Sequence, residues 1–571
     1  MEVRLMGKWI LLLWLATPAL SADVLPSDSF APAILFNSTI VLDDSYNESL
    51  LAGMEQFEQQ KGVPFAQVAT ADPILYRQSL ESLAMAGHSP IIVPGGGTQS
   101  IVETVAPSFP HTTFISIGYQ TDAPNVRSIL FREWEGAYLA GVLAAYRSPN
   151  RKVGFMGGLP VRSVKELEAG FRAGFNHVLP DGQVTSLYLS EYSDRPWDDE
   201  SKARELGRQL FNSGHDIVFA AAGSSGKGAL AAAAEADKLA IGVDQNQNGL
   251  YPGHVLTSVV KHLDRAVYVA LISERWQLWR SPVKRLGLAQ GGVSISIDEN
   301  NQPLLSQAML VELQKNRGRL LAESTGMVGV TNGVDQDIAK PQSITVAVPE
   351  EVRFPFIQAD DSGITGIAID ALGMLSQQLG VEFEYRVLPT RRGVHSLGES
   401  VDGFIAISHS DDTERRGVFP MRDGDVDEDR ALMTWDLAAF QLIDQGFADA
   451  SILQSPITIP PGSGTDNLKE LQGLESHVIG SVERQLNMLL RRHAKTALAD
   501  ALHADHLIDN RPQFAGKIRK VAASVSKESS YLVLSKAFYQ QYPEFSEILW
   551  NRLSAIRESV ELWDGVDRYF Q

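Results

Sequence analysis

The residues whose types and spacing could do chemistry fall in a few short runs. Gly223–Gly228 (GSSGKG) resembles a phosphate-cradling loop, but Ala221 stands where the leading glycine belongs and Gly228 where a serine or threonine is required. It reads instead as a strand-to-helix turn facing a ligand. Asp244–Gly249 (DQNQNG) matches the first half of a calcium loop. The twelfth position is Val255 rather than a bidentate glutamate, which rejects calcium there. Asp423–Asp429 (DGDVDED) reads as a solvated acidic loop. His503 and His506 are one helical turn apart, a spacing two metal ligands could share. No third ligand accompanies them, so a solvated helix face is the preferred reading. No Gly-x-Ser-x-Gly elbow is present and no carboxylate pair stands out. The chain has no cysteine, which excludes disulfides and thiolate chemistry. No catalytic residue, metal or cofactor is assigned.

Two aromatics are better placed. Tyr46 starts the first helix, and Trp197 precedes the helix beginning near Asp199. If they come from opposite lobes they could sandwich a flat base. The elements that must position them alternate between strand and helix. Ala33–Phe36 is a strand; Ser45 and Glu48 are spaced as a capping box, followed by the stripe Leu50, Met54, Phe57. Ile91–Val93, Thr113–Ile117, Asp216–Ala222 and Leu239–Val243 are short apolar strands ending in glycine or a small polar residue. His254–Val259 leads into a helix beginning near Lys261. Lys152–Phe175 is a strand, a glycine turn and a helix, with Ser163 and Glu166 again spaced as a capping box. Phe131–Tyr146 reads as a helix with Leu139, Val142, Leu143 and Tyr146 on one side. That helix is expected to end one lobe, with the lobes joined near 147–152 and a cleft between them. Such alternation predicts α/β architecture with parallel sheets covered on both faces, binding ligands beyond the carboxyl ends of the strands.

The chain has 571 residues, room for several domain-sized units. Its formal net charge of −19 argues against nucleic acid as a partner, because phosphate binding needs a basic face. Arg4 and Lys8, the apolar run Trp9–Leu20 and the small residues Ala19, Ser21 and Ala22 predict a cleaved signal peptide over 1–22. The run is too short to span a bilayer. The mature chain is expected to be periplasmic, not inserted in the membrane, and, lacking cysteine, not lipid-anchored. Residues 23–323 form the first module. Ser324–Ser343, polar and rich in turn formers, reads as a linker. A second module follows over 344–571, with Ile344, Val346 and Val348 alternating as a strand and Ile369, Leu372, Leu375 and Leu379 as a helix stripe.

Four segments, FREWEGAYLAG at 131–141, KVGFMGG with EAGFRAGF at 152–175, DIVFAAAG at 216–223 and AIGVD at 240–244, give the first module a resemblance. It resembles the basic membrane protein family of ABC-transporter solute receptors, which includes purine nucleoside receptors. The resemblance implies a two-lobed type I periplasmic-binding-protein fold. Carried onto this sequence, it implies that Tyr46, within DDSYN with Asn47, and Trp197 stack on a base. It implies further that Asp244 and Lys261 hold ribose hydroxyls and that Gly223 offers a backbone contact. Asn37 and Gly118 stand where nucleoside receptors carry aspartates; an asparagine can donate as well as accept, which bears on base selectivity. The second module looks like a type II solute-binding domain of the amino-acid-receptor family, carried by ITVAVPEEVRFPF, GITGIAIDALGMLSQQLG and SHSDDTERRGVF. Arg415 matches the arginine that clamps an α-carboxylate there.

The function this implies is a periplasmic receptor that captures a nucleoside-like solute by lobe closure and delivers it to an ABC permease. The alternative is a ligand sensor docking on a membrane signalling receptor. A nucleoside hydrolase would want an Asp-rich metal constellation that the sequence does not offer.

Overall fold

A computed structural model describes residues 30–95, 97–276, 278–279, 282–324, 338–360, 363–445, 453–460, 471 and 473–570. The expected signal peptide and most of the expected linker lie outside the described residues.

The first module carries two six-stranded sheets. The first lobe runs through β1 (Ala33–Phe36), α1 (Tyr46–Lys61), β2 (Ala66–Ala69), α2 (Pro73–Met85), β3 (Ile91–Pro94), α3 (Gln99–Val105), β4 (Phe114–Ile117) and β5 (Val126–Phe131). The chain then passes to the second lobe. This contains α4 (Glu133–Tyr146), β6 (Lys152–Gly157), α5 (Arg162–Val178), β7 (Gln183–Tyr188), α6 (Glu200–Asn212), β8 (Ile217–Ala221), α7 (Gly226–Glu235), β9 (Leu239–Asp244) and β10 (Val255–Lys261). It returns through α8 (Leu263–Arg275) and β11 (Val283–Leu286), crosses once more to β12 (Val293–Ile295), and ends in α9 (Gln307–Ser324). The sheet orders are β11-β5-β4-β3-β1-β2 and β12-β10-β9-β8-β6-β7. All pairings in them are parallel except β10 with β12, as the buried apolar strands predict.

Helix α4 does not end the first lobe. It packs along α5 of the second lobe, so the crossing falls ahead of it, at Phe131–Glu133, rather than near 147–152. The glycines of the two motifs at 131–141 and 168–175 explain the packing. A Cβ at Gly141 would strike the carbonyl oxygen of Phe171, and one at Gly170 or Gly174 those of Trp134 and Tyr138. Only bare backbone lets these helices come so near. Buried almost all round, α4 has no single apolar side, and Tyr146 is exposed.

Neither expected capping box forms. Asp43 takes the role of Ser45: its carboxylate accepts from the backbone N–H of Ser45 (3.0 Å), Asn47 (3.1 Å) and Glu48 (3.1 Å). Helix α5 starts at Arg162 behind Val161, with no side-chain cap, and Glu166 pairs with Arg162 at 2.7 Å.

The second module is built on one nine-stranded sheet. Its spatial order is Glu382–Leu388, Ser343–Pro349, Gly403–Ser408, Ile518–Ser535, Met433–Leu442, Thr496–Asp500, Ile457–Ile459, Ser476–Val478, with Gly417–Val418 also on Ile518–Ser535. The eighteen-residue strand Ile518–Ser535 pairs with both halves and joins them. No described helix is long and apolar enough to cross a membrane.

Candidate functional site

Loops beyond the carboxyl ends of strands in the two lobes meet across the cleft between them. Asp44 and Ser45 come from the first lobe. Ser45 Oγ donates to Asp244 Oδ2 at 2.8 Å. Gln245 Nε2 donates to Ser45 O at 2.9 Å and Gln247 Nε2 to Asp44 O at 3.0 Å. Lys227 Nζ reaches Asp44 Oδ2 at 3.0 Å and Glu200 Oε1 at 3.3 Å. These contacts latch the lobes shut. They also settle what the rejected calcium loop does. Gln245 and Gln247 form the latch, while Asn246 and Asn248 donate to Asp298 Oδ2 at 2.8 and 3.0 Å, fixing the loop.

Behind the latch lies a buried polar cluster. Asp244 ends β9 with φ at +65°, and Lys261 ends β10. Lys261 Nζ lies 3.1 Å from Glu133 Oε1 and 3.6 Å from Asp244 Oδ1. Its ammonium is 5.2 Å from the centroid of the Tyr46 ring and 5.7 Å from that of Phe131. Burial disfavours the charged ammonium, but the Glu133 and Asp244 carboxylates outweigh it and hold Lys261 above the ordinary lysine range. Burial pushes the Glu133 carboxyl up, with Lys261 pulling the other way. Burial also pushes up the Tyr46 phenol, whose hydroxyl donates to Ile117 O at 3.3 Å. The cluster therefore offers a fixed carboxylate acceptor, Asp244, beside a fixed ammonium donor. A vicinal diol could use both.

Trp197 lies on the second lobe, 38% exposed. Its ring covers Gly158, just beyond β6, so closely that no Cβ would fit there. A Cβ at Gly223, just beyond β8, would lie 3.5 Å from the same ring. Gly223 has φ at +56°, opening the turn into α7. Within that turn Ser225 N donates to Trp197 O at 3.2 Å, and Asp199 N donates to Ser225 Oγ at 2.6 Å. The glycines of GSSGKG and KVGFMGG thus make a bed for an indole. Tyr46 and Trp197 do come from opposite lobes, but Lys261 already covers part of the Tyr46 ring. Asn37 follows β1 and packs against Gly95, where an added Cβ would be 2.8 Å from its Nδ2.

The remaining expected residues stand apart. Both amide hydrogens of Asn47 are spent on the loop that precedes α1, on Ile40 O at 3.0 Å and Asp43 Oδ2 at 3.1 Å. Arg415 is exposed on the short helix Asp411–Arg416, distant in sequence and module from the cleft. His503 and His506 are not a solvated face. Both rings pack on Phe354, His506 stacked at 4.1 Å between centroids and 22° between planes. No group of three metal-ligating side chains occurs among the described residues. Sequence reading missed Glu133, Ser45, Gln245, Gln247 and Lys227. Glu133 had a signal, its place inside the FREWEGAYLAG motif.

Residues 32–324, about half of the chain, match the family model described as Bmp, ABC transporter substrate-binding protein PnrA-like. The chain is 30% identical over 272 residues to basic membrane protein B of Borreliella afzelii, covering 45% of this chain and 78% of that protein. It is 28% identical over 291 residues to the ABC transporter nucleoside-binding protein BmpA of Lactococcus lactis, covering 47% and 81% respectively. An ABC transporter solute-binding protein of Aeropyrum pernix, known as a crystal structure, superposes with a TM-score of 0.48 at 21% identity, covering 52% of this chain and 92% of that one.

Proposed function

The chain belongs to the PnrA-like family of ABC transporter substrate-binding proteins, and from that premise we propose that its first module captures a nucleoside-like solute by lobe closure and presents it to a membrane permease. The observation that carries this reading is the pairing of Asp244 with Lys261 beneath a cross-lobe latch, on the same lobe as the Trp197 platform. An aromatic face suits a base, and an acceptor–donor pair suits a ribose diol. The nucleoside-binding relative from Lactococcus lactis points the same way. Trp197 is the main stacking platform in this reading, with Tyr46 supporting Lys261 from the other lobe. Asn37 and Gly223 contact the base edge.

The protein acts outside the cytoplasm, after removal of residues 1–22, as a receptor and not a catalyst. The second module is read as type II-like. Its strand order on one side, with the first strand between the second and third and a late strand next to the third, supports this. Arg415 is its candidate carboxylate clamp.

Isothermal titration against nucleosides, free bases and pentoses tests the ligand assignment. Binding of nucleosides above bases and sugars is expected. Tight binding of an unrelated solute with none of any nucleoside refutes the ligand class and leaves the receptor reading standing.

A further inference from the structure

Three segments cross between the lobes of the first module: Phe131–Glu133, Lys261–Leu263 and Leu286–Val293. They are tied to one another. Arg132 N donates to Leu286 O and His262 N to Gly292 O, both at 3.0 Å. Leu288 N donates to the carboxylate of the fully buried Glu135 at 2.7 Å. Any change in the angle between the lobes must bend these segments, so together they are the hinge.

The second module sits on that hinge. Val560 opens the helix Val560–Asp564, and its N–H donates to Gln290 O, in the third crossing, at 3.1 Å. The Glu561 carboxylate lies against Gly291 with no room for a side chain between them. Arg265, in the first turn of α8 just after the second crossing, lies 3.5 Å from Glu561 and 4.0 Å from Asp564. Lys284, on the strand entering the third crossing, is buried with its ammonium 4.6 Å from the Trp279 ring centroid and 5.2 Å from that of Trp563. The contact continues down the C-terminal segment. Phe570 stacks on Trp276 at the end of α8 at 4.1 Å and 12°, and meets Phe354 edge-on at 5.2 Å. Phe354 stacks on His506. Phe354 follows the strand Ser343–Pro349 and His506 lies on the helix Ala501–Asn510, in opposite halves of the second module.

We propose that the second module regulates lobe closure in the first. Through Val560–Phe570 it biases the hinge toward the closed setting, so that a movement between its own halves changes the solute affinity of the first module. By linkage the effect runs both ways, solute capture favouring one arrangement of the second module. The proposal rests on the reading of the cleft as one that opens and closes, but on no particular ligand.

The chain has no cysteine, so two introduced ones can carry spin labels without interference. Leu42→Cys on the first lobe and Leu250→Cys on the second replace residues that are 71% and 41% exposed. Pulsed electron resonance then reads the lobe separation in the full chain with no solute added. Val560→Pro removes the N–H that ties the helix to Gln290, at a first helical position where proline is tolerated. Arg265→Glu sets like charges together. Both are expected to raise the ratio of long to short separations, Val560→Pro by about fivefold, as loss of one such bond implies. The charge swap Arg265→Glu with Glu561→Arg is expected to bring the ratio back, which a merely misfolded variant would not do. Distributions that match the wild type in both single variants overturn the proposal, as does a swap that restores nothing. Failure of the nucleoside assignment would show in the titration and leave these separations unchanged.

Discussion

Ser45 Oγ, at the start of the first helix, donates to Asp244 Oδ2 in the opposite lobe at 2.8 Å, across 199 residues of sequence. A hydrogen bond to a carboxylate contributes about 1.5–3 kcal/mol. Ser45→Ala is therefore expected to weaken solute binding about tenfold or more, chiefly through faster dissociation. The helix itself should survive, because Asp43 caps it. Asp43→Ala should instead lower thermal stability by about 1 kcal/mol. Stopped-flow dissociation and thermal melts on the two variants check this; a Ser45→Ala protein that melts early but releases solute at the normal rate would mean that the hydroxyl serves the helix after all.

Trp197 rests on the bare backbone of Gly158. Trp197→Ala is expected to weaken binding by roughly tenfold to a hundredfold, since stacking on a base contributes about 1–3 kcal/mol. Gly158→Ala should weaken binding as well, without touching any polar contact, because its methyl group displaces the indole. Calorimetric titration of the two variants decides it, and unchanged affinity in both removes Trp197 from the site.

Lys261 and Glu133 are both more than nine-tenths buried. Glu133→Ala leaves the ammonium with only the more distant Asp244 carboxylate. Stripping one partner from a buried pair costs about 3–5 kcal/mol. The first module should therefore melt well below the wild type, seen by calorimetry as one early transition. Asp244→Ala should cost less stability but discriminate specifically against ribosides relative to free bases, measured as the ratio of their dissociation constants.

How much of this was legible in the sequence follows from the range of each interaction. The alternation of strands and helices was, because a buried parallel strand and an amphipathic helix each announce themselves within a few residues. The Trp197 bed was half legible, since glycines end the strands there, though which ring they hold is a tertiary fact. The capping signature at Ser45 and Glu48 misled, because the same hydroxyl that can cap a helix can also reach across a cleft. Nothing local distinguishes the two. The lobe membership of α4 was hidden for another reason. A helix buried on nearly all sides has no stripe to show which sheet it covers, and only the glycines shared with α5 carry that information. His503 and His506 read as a solvated pair because Phe354, which covers both, lies about 150 residues away.

That pair supplies a pH test of the second module. Burial, helped by repulsion from His506, lowers His503 from the ordinary 6.5 to about 4. Burial also lowers His506, which Asp509 and Arg511 pull in opposite directions. The neutral imidazole of His503 packs near Phe354. Between these two values the unfolded chain takes up a proton that the folded chain refuses. Stability from this group is thus fully present above pH 6.5 and is lost as the pH falls to about 4. The loss amounts to about 3 kcal/mol, at roughly 1.4 kcal/mol per tenfold in proton activity. Hydrogen-exchange protection factors over Thr496–Asn510, compared at pH 7 and pH 4.5, should fall steeply in the wild type. His503→Leu keeps an apolar side chain near Phe354 and has nothing to titrate, so its protection should fall much less. Equal losses in both proteins would place the acid sensitivity elsewhere in the module.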